Sequence, residues 1–100
     1  MTAQRIYILG GHQTDFSRNW ARETLSLYDM FSDTMQQGLE KSGLDADDIQ
    51  VGHVGNFVGD LFCGQAMLGG FFSHVDPKLA YMPASRHEAA CASGSMAILS

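Results

Sequence analysis

The sequence predicts an α/β fold, with a mainly parallel sheet whose strands are joined by crossover helices in the order βαβαβα. Two observations predict it. Runs of apolar or small residues suited to strands recur at residues 5–11, 51–59 and 84–90. Each is followed by a stretch in which apolar residues fall at helical spacing.

Arg5-Ile6-Tyr7-Ile8-Leu9-Gly10-Gly11 is β-branched and aromatic, closes on glycines and reads as a buried strand. It lacks the Gly-x-Gly-x-x-Gly spacing, so its paired glycines are not read as a dinucleotide loop. His12-Gln13-Thr14-Asp15-Phe16 follows as a loop. Leu27 to Ser42 then reads as a helix, with Leu27, Met30, Phe31, Met35 and Leu39 on one face. Ser26 with Asp29 resembles a capping box, and Gly43 is the stop. Its methionines are core residues in this reading. Asp45-Ala46-Asp47-Asp48-Ile49 is an acidic, solvated turn without the ligand pattern of a calcium loop.

Val51 to Gly59 is the second predicted strand. Gly64-Gln65 leads into Ala66-Met67-Leu68 and Phe71-Phe72, the second predicted helix, which Val75-Asp76-Pro77 ends. After Pro83, Ala84 to Ala90 is the third strand and delivers Cys91. Met96, Ile98 and Leu99 point in different directions on the helix expected after it, with only Ala between them. A helix apolar or small all round should be covered on every side.

Composition narrows the class. Hydrophobic residues make up 45% of the chain and charged residues 17%, which describes a globular chain with core material. A formal charge of −5 without any basic run argues against a nucleic-acid or anionic-membrane surface. No apolar stretch approaches the length of a membrane span. Cys63 and Cys91 make no disulfide framework, and no signal peptide is recognised, so a cytoplasmic, reduced protein is expected.

The chemistry concentrates in Glu88-Ala89-Ala90-Cys91-Ala92-Ser93-Gly94-Ser95. Small residues let the backbone turn sharply after the third strand, and Met96-Ala97-Ile98-Leu99 continues as a helix. A thiol at a helix N-terminus sits among unpaired N–H groups at the positive end of the dipole, which favours the nucleophilic thiolate. The same N–H groups can hold an oxyanion. On chemistry alone, a buried cysteine in a tight strand-to-helix turn is an equal reading.

This segment resembles the nucleophile segment of thiolases, in which a cysteine before Ala-Ser-Gly takes an acyl group from coenzyme A. Ketoacyl synthases place a cysteine similarly but typically follow it with Ala-Gly-Phe, and Ser93 and Gly94 favour the thiolase side. The resemblance extends to the Thr14-x-Phe16 loop, the strand bearing Gly55 and Asn56, and Gly64-Gln65 as the opening of a helix. The Glu-Ala-Ala variant looks more like the bacterial and archaeal branch. The resemblance implies a thiolase-like fold with a mixed, mainly parallel sheet. Residues 1–100 would then be a partial N-terminal domain ending after the start of the nucleophile helix, with at least two strands and a second half elsewhere.

It further implies acyl transfer from acyl-CoA to Cys91, then Claisen condensation with a second thioester, or thiolytic cleavage of a 3-ketoacyl-CoA in reverse. The Cys91 N–H is then an oxyanion donor, and Ser93 and Gly94 shape the turn. Coenzyme A thioesters are the substrates, no metal or redox cofactor is called for, and a homodimer or homotetramer is expected. The activating histidine and the base are expected downstream, so the segment alone should lack turnover. A hydroxymethylglutaryl-CoA or ketoacyl synthase relative, a non-catalytic acyl-CoA-binding scaffold and a truncated reading frame are the alternatives.

Other candidates are weaker. In an extended strand His87 lies about 13 Å from Cys91, whereas a general base must reach about 3 Å. His87 is therefore read as structural or at a subunit contact, and Glu88 points to the opposite face from Cys91. His12, His53 and His74 are read as loop or surface residues, and Cys63 as a passive thiol. No Cys-x-x-Cys or paired-His spacing supports a metal site.

Overall fold

A computed structural model of the protein describes residues 4–100. Two short parallel strands lie at its centre, β1 (Gly52–Gly55) and β2 (Ala84–His87). Their register pairs Gly52 with Ala84 and Gly55 with His87. The ladder continues at both ends, where Gly52 N–H donates to Pro83 O at 2.9 Å and Asn56 N–H to His87 O at 3.0 Å.

The helix α1 occupies Leu27–Ser42, the span the spacing predicts. Ser26 Oγ accepts from Asp29 N–H, and the Asp29 carboxylate accepts from Ser26 N–H, closing the capping box. At the other end Gly43 takes φ 70°, and Gly43 and Leu44 donate to Glu40 O and Leu39 O. This is the paired closure that a left-handed glycine allows. Phe31 and Met35 turn inward onto a core of Ala46, Phe72 and Leu79, with Ile49, Val54, Met82 and Ala84 around it. Phe31 meets Phe71 and Phe72 edge-to-face at 5.4 and 4.9 Å. Gly52 is required there, because a Cβ would stand 2.8 Å from both Phe72 and Met82.

Several expectations need correction. Arg5–Gly11 forms no strand, and Ile6 and Ile8 are each 93% exposed. A strand exists only where a neighbour completes its ladder, and among the described residues β1 pairs with β2 alone. The end of this run crosses the end of α1, leaving a Cβ on Gly10 only 2.9 Å from Ser42 Cβ. The described sheet is accordingly two-stranded and parallel.

The second strand ends at Gly55 rather than Gly59, because Asn56 Oδ1 accepts from Gly59 N–H at 2.9 Å and turns the chain. Helix α2 (Gly59–Cys63) starts there, so Gly64 closes a helix instead of opening one, at φ 69°. Gln65 Oε1 accepts from Met67 N–H, and the helical path resumes only with a 3-10 turn at Leu68–Gly70 and α3 (Phe71–Val75).

The third strand stops at His87, three residues early, since the Glu88 carboxylate takes the Ala90 N–H. A 3-10 turn at Ala90–Ala92 precedes α4 (Ser93–Leu99). That helix lies against β1 and β2, while Ile98 and Leu99 remain exposed, so the described residues cover it only in part. No helix of the described chain is long and apolar enough to cross a membrane.

Candidate functional site

Both strands run in one direction, and at both carboxyl ends the backbone is forced into the left-handed region. Val58 has φ 62° after β1, and Ala90 has φ 49° after β2. Non-glycine residues adopt that region at a cost, and such strain collects where a structure presents reactive groups. In open α/β sheets, ligands bind outside the carboxyl ends of the strands.

Cys91 follows Ala90 and is exposed among the described residues. It lies inside the 3-10 turn, two residues before α4, rather than in the helix itself. The surrounding amides are engaged within the turn. Ala89 N–H donates to Ser93 Oγ at 2.9 Å, Ala90 N–H to Glu88 Oε2, Ala92 N–H to Ala89 O, and Ser93 N–H to Ala90 O. The Cys91 N–H takes part in none of these bonds.

Ser93 clasps the turn. It is 4% exposed, and its hydroxyl accepts from Ala89 while donating to Ala90 O at 2.7 Å. Gly94 is different, since a Cβ there would meet open space and its φ is not left-handed. The glycine that the turn requires is Gly55 on β1, where a Cβ would run into Ser93 O and Gly94 N. The packing role of Gly55 is not legible in the sequence, because only strand register brings it beneath α4.

Register also produces a second grouping that sequence reasoning missed. His53 Nδ1 lies 2.8 Å from His87 Nε2, so His53 is a half-buried strand residue rather than a loop or surface one. Arg86, the neighbour of His87 in β2, reaches the other way to Asn56 O at 3.4 Å and Asp60 at 3.6 Å, leaving its buried Nε unpartnered. His12 is held by Lys41 Nζ at 2.8 Å, and His74 packs edge-on against Tyr28. Cys63 is exposed at the end of α2. Among the described residues no three His, Cys, Asp or Glu side chains gather as a metal site.

No protein-family model matches the chain. It is 36% identical over 93% of its length to an acetyl-CoA acetyltransferase of Methanocaldococcus jannaschii. It is 31% identical over 95% of its length to an acetyl-CoA acetyltransferase of Methanothermobacter thermautotrophicus. The chain spans 23% and 24% of the length of these two relatives.

Proposed function

We propose that this chain, as a relative of the acetyl-CoA acetyltransferases of the thiolase family, carries the nucleophile of a thiolase-type acyltransferase. The observation that carries the reading is the exposed Cys91 thiol beside left-handed Ala90, at the carboxyl end of β2. Similarity across 93% and 95% of this chain to the corresponding quarter or so, 23% and 24%, of two proteins of that name supports it.

In the proposed first half-reaction, the Cys91 thiolate attacks the carbonyl carbon of an acyl-CoA. The Cys91 N–H donates to the oxyanion, and the intermediate collapses by breaking the bond to the coenzyme A sulfur. The products are an acyl-thioester on Cys91 and free coenzyme A. In the second, the α-carbanion of another acyl-CoA attacks that thioester, a C–C bond forms and the Cys91 thiolate leaves. The reverse sequence is thiolysis of a 3-ketoacyl-CoA. This chain supplies the acyl acceptor and its turn, and the base for the α-proton belongs to other parts of the complete protein. The free thiols fit a reducing, cytoplasmic compartment. Exposed Ile98 and Leu99 on α4 fit a helix covered by further chain in a homo-oligomeric whole.

The experiment is an intact-mass spectrum of the complete protein before and after incubation with acetyl-CoA, with Cys91→Ala as control. One acetyl group gained, and lost in the variant, is the expected result. Acetylation that persists in Cys91→Ala overturns the assignment.

A further inference from the structure

We propose that Glu88 is a positioning residue for acyl transfer: its carboxylate, bonded to the Ala90 N–H, fixes the peptide that carries the Cys91 N–H. The consequence for catalysis rests on reading Cys91 as the nucleophile and its N–H as the oxyanion donor.

Ala90 joins two peptide groups, and both are held. The Ala89–Ala90 peptide has its N–H on Glu88 Oε2, and its carbonyl accepts from the Ala92 N–H at 2.9 Å. The Ala90–Cys91 peptide has its carbonyl on the Ser93 hydroxyl at 2.7 Å and on the Ser93 N–H. Each peptide is a rigid plane, so their relative orientation is set by φ and ψ of Ala90 alone. Holding both planes keeps φ at 49°, in a region that an unrestrained alanine avoids.

The same planarity aims the Cys91 N–H. No described peptide is cis, so this N–H lies opposite the Ala90 carbonyl across their shared bond. The carbonyl faces the buried Ser93 hydroxyl, and the N–H is accordingly turned away from it. Without the Glu88 bond Ala90 is free to relax toward negative φ, and the N–H swings with its peptide.

The bond differs from the ordinary turn contacts of this chain. Asp15, Gln65 and Asp76 also accept the N–H two residues on, from Ser17, Met67 and Lys78. None of those three recipients is left-handed. Among the described residues only Ala90 has, in addition, a second side chain on its own carbonyl, that of Ser93. Glu88 enters no ion pair among the described residues. Glu88 and Ala90 are both exposed, where water would satisfy the N–H, so the bond contributes direction rather than burial. That role asks only for an acceptor oxygen, since a negative charge near an oxyanion opposes its formation.

The test uses the complete protein and reads two reactions of Cys91 by mass on the peptide that contains it. One is single-turnover acetylation by acetyl-CoA, and the other is alkylation by iodoacetamide. Acetyl transfer passes through an oxyanion and alkylation does not, so only the first depends on the N–H. Glu88→Ala should slow acetylation about tenfold or more and leave alkylation within about threefold, with thermal melting confirming that it is folded. Glu88→Gln keeps an acceptor oxygen and should acetylate within about threefold of the wild type. Unchanged acetylation in Glu88→Ala, equal losses in acetylation and alkylation, or Glu88→Gln as slow as Glu88→Ala each overturn the positioning role. Crystal structures of the complete protein and of Glu88→Ala read the hold itself, with φ of Ala90 expected positive in the first and negative in the second. A positive φ in both overturns the hold. A positive φ lost in Glu88→Ala, with no acetylation of the wild type, leaves the hold standing and removes the nucleophile reading.

Discussion

Gly55 and Ser93 lie so close that the strand and the helix behind the Cys91 turn share one contact surface. A Cβ on Gly55 would overlap the Ser93 carbonyl and the Gly94 nitrogen, all of them backbone atoms. The close approach sets how far the turn stands from the ends of the strands. Ser93 is buried as a result, and its hydroxyl is available only to the turn itself.

Gly55→Ala is therefore expected to destabilise the protein by about 1–3 kcal/mol, because backbone on both sides must give way. Gly94→Ala, with open space at its Cβ, should fall within about 1 kcal/mol of the wild type and on the stabilising side. Denaturant melts of the two variants check this. Equal losses in both would remove the close packing as the reason for Gly55.

Ser93→Ala takes away the acceptor of the Ala89 N–H and one of the two donors to the Ala90 carbonyl, the Ser93 N–H being the other. The expected cost is about 1–3 kcal/mol. Acetylation of Cys91 by acetyl-CoA should slow as well, since the turn loses its clasp. A variant as stable and as readily acetylated as the wild type would show that the turn does not depend on the Ser93 hydroxyl.

Legibility in the sequence followed the range of the interactions. The α1 boundaries were readable because Ser26, Asp29, the apolar period and Gly43 all lie within one contiguous stretch. The turn into α4 is readable for the same reason, from small residues before an apolar run. Arg5–Gly11 was not, because its composition suits a strand but a ladder partner decides whether one forms. The start of the second helix is not legible, because Gly64 is equally suited to closing one helix and to preceding another, and Asn56 decides the matter from outside both. Gly55 and the His53–His87 contact, 34 positions apart in the chain, emerge only from strand register.

The acid limb of stability offers a third test. Ser26 donates its backbone N–H and its hydroxyl to the Asp29 carboxylate at 2.6 and 2.9 Å, which holds that carboxyl below its ordinary value. Asp45 is lowered likewise, first by the hydrogen bond from Lys78 and next by the Asp47 N–H. For a lowered carboxyl, the stabilisation is complete above the unfolded value of about 3.9 and is lost as pH falls through the folded one. Asp29→Asn should melt below the wild type at neutral pH, and the gap should close as pH drops below about 4. A gap independent of pH would mean that the carboxylate charge plays no part in the cap.

Ala90 provides the test that separates stability from reactivity. At φ 49° an alanine carries the left-handed penalty of about 1–2 kcal/mol, and glycine carries none. Glycine also gives the unfolded chain more freedom, which offsets part of the gain by about 0.4–1 kcal/mol. Ala90→Gly is thus expected to be as stable as the wild type or more so. Its turn, however, loses the constraint that fixes Cys91, so acetylation should slow while the melting temperature holds or rises. Thermal melts together with the rate of mass gain from acetyl-CoA read both quantities. A faster reaction in the glycine variant would mean that the strained backbone holds the thiol away from its substrate rather than toward it.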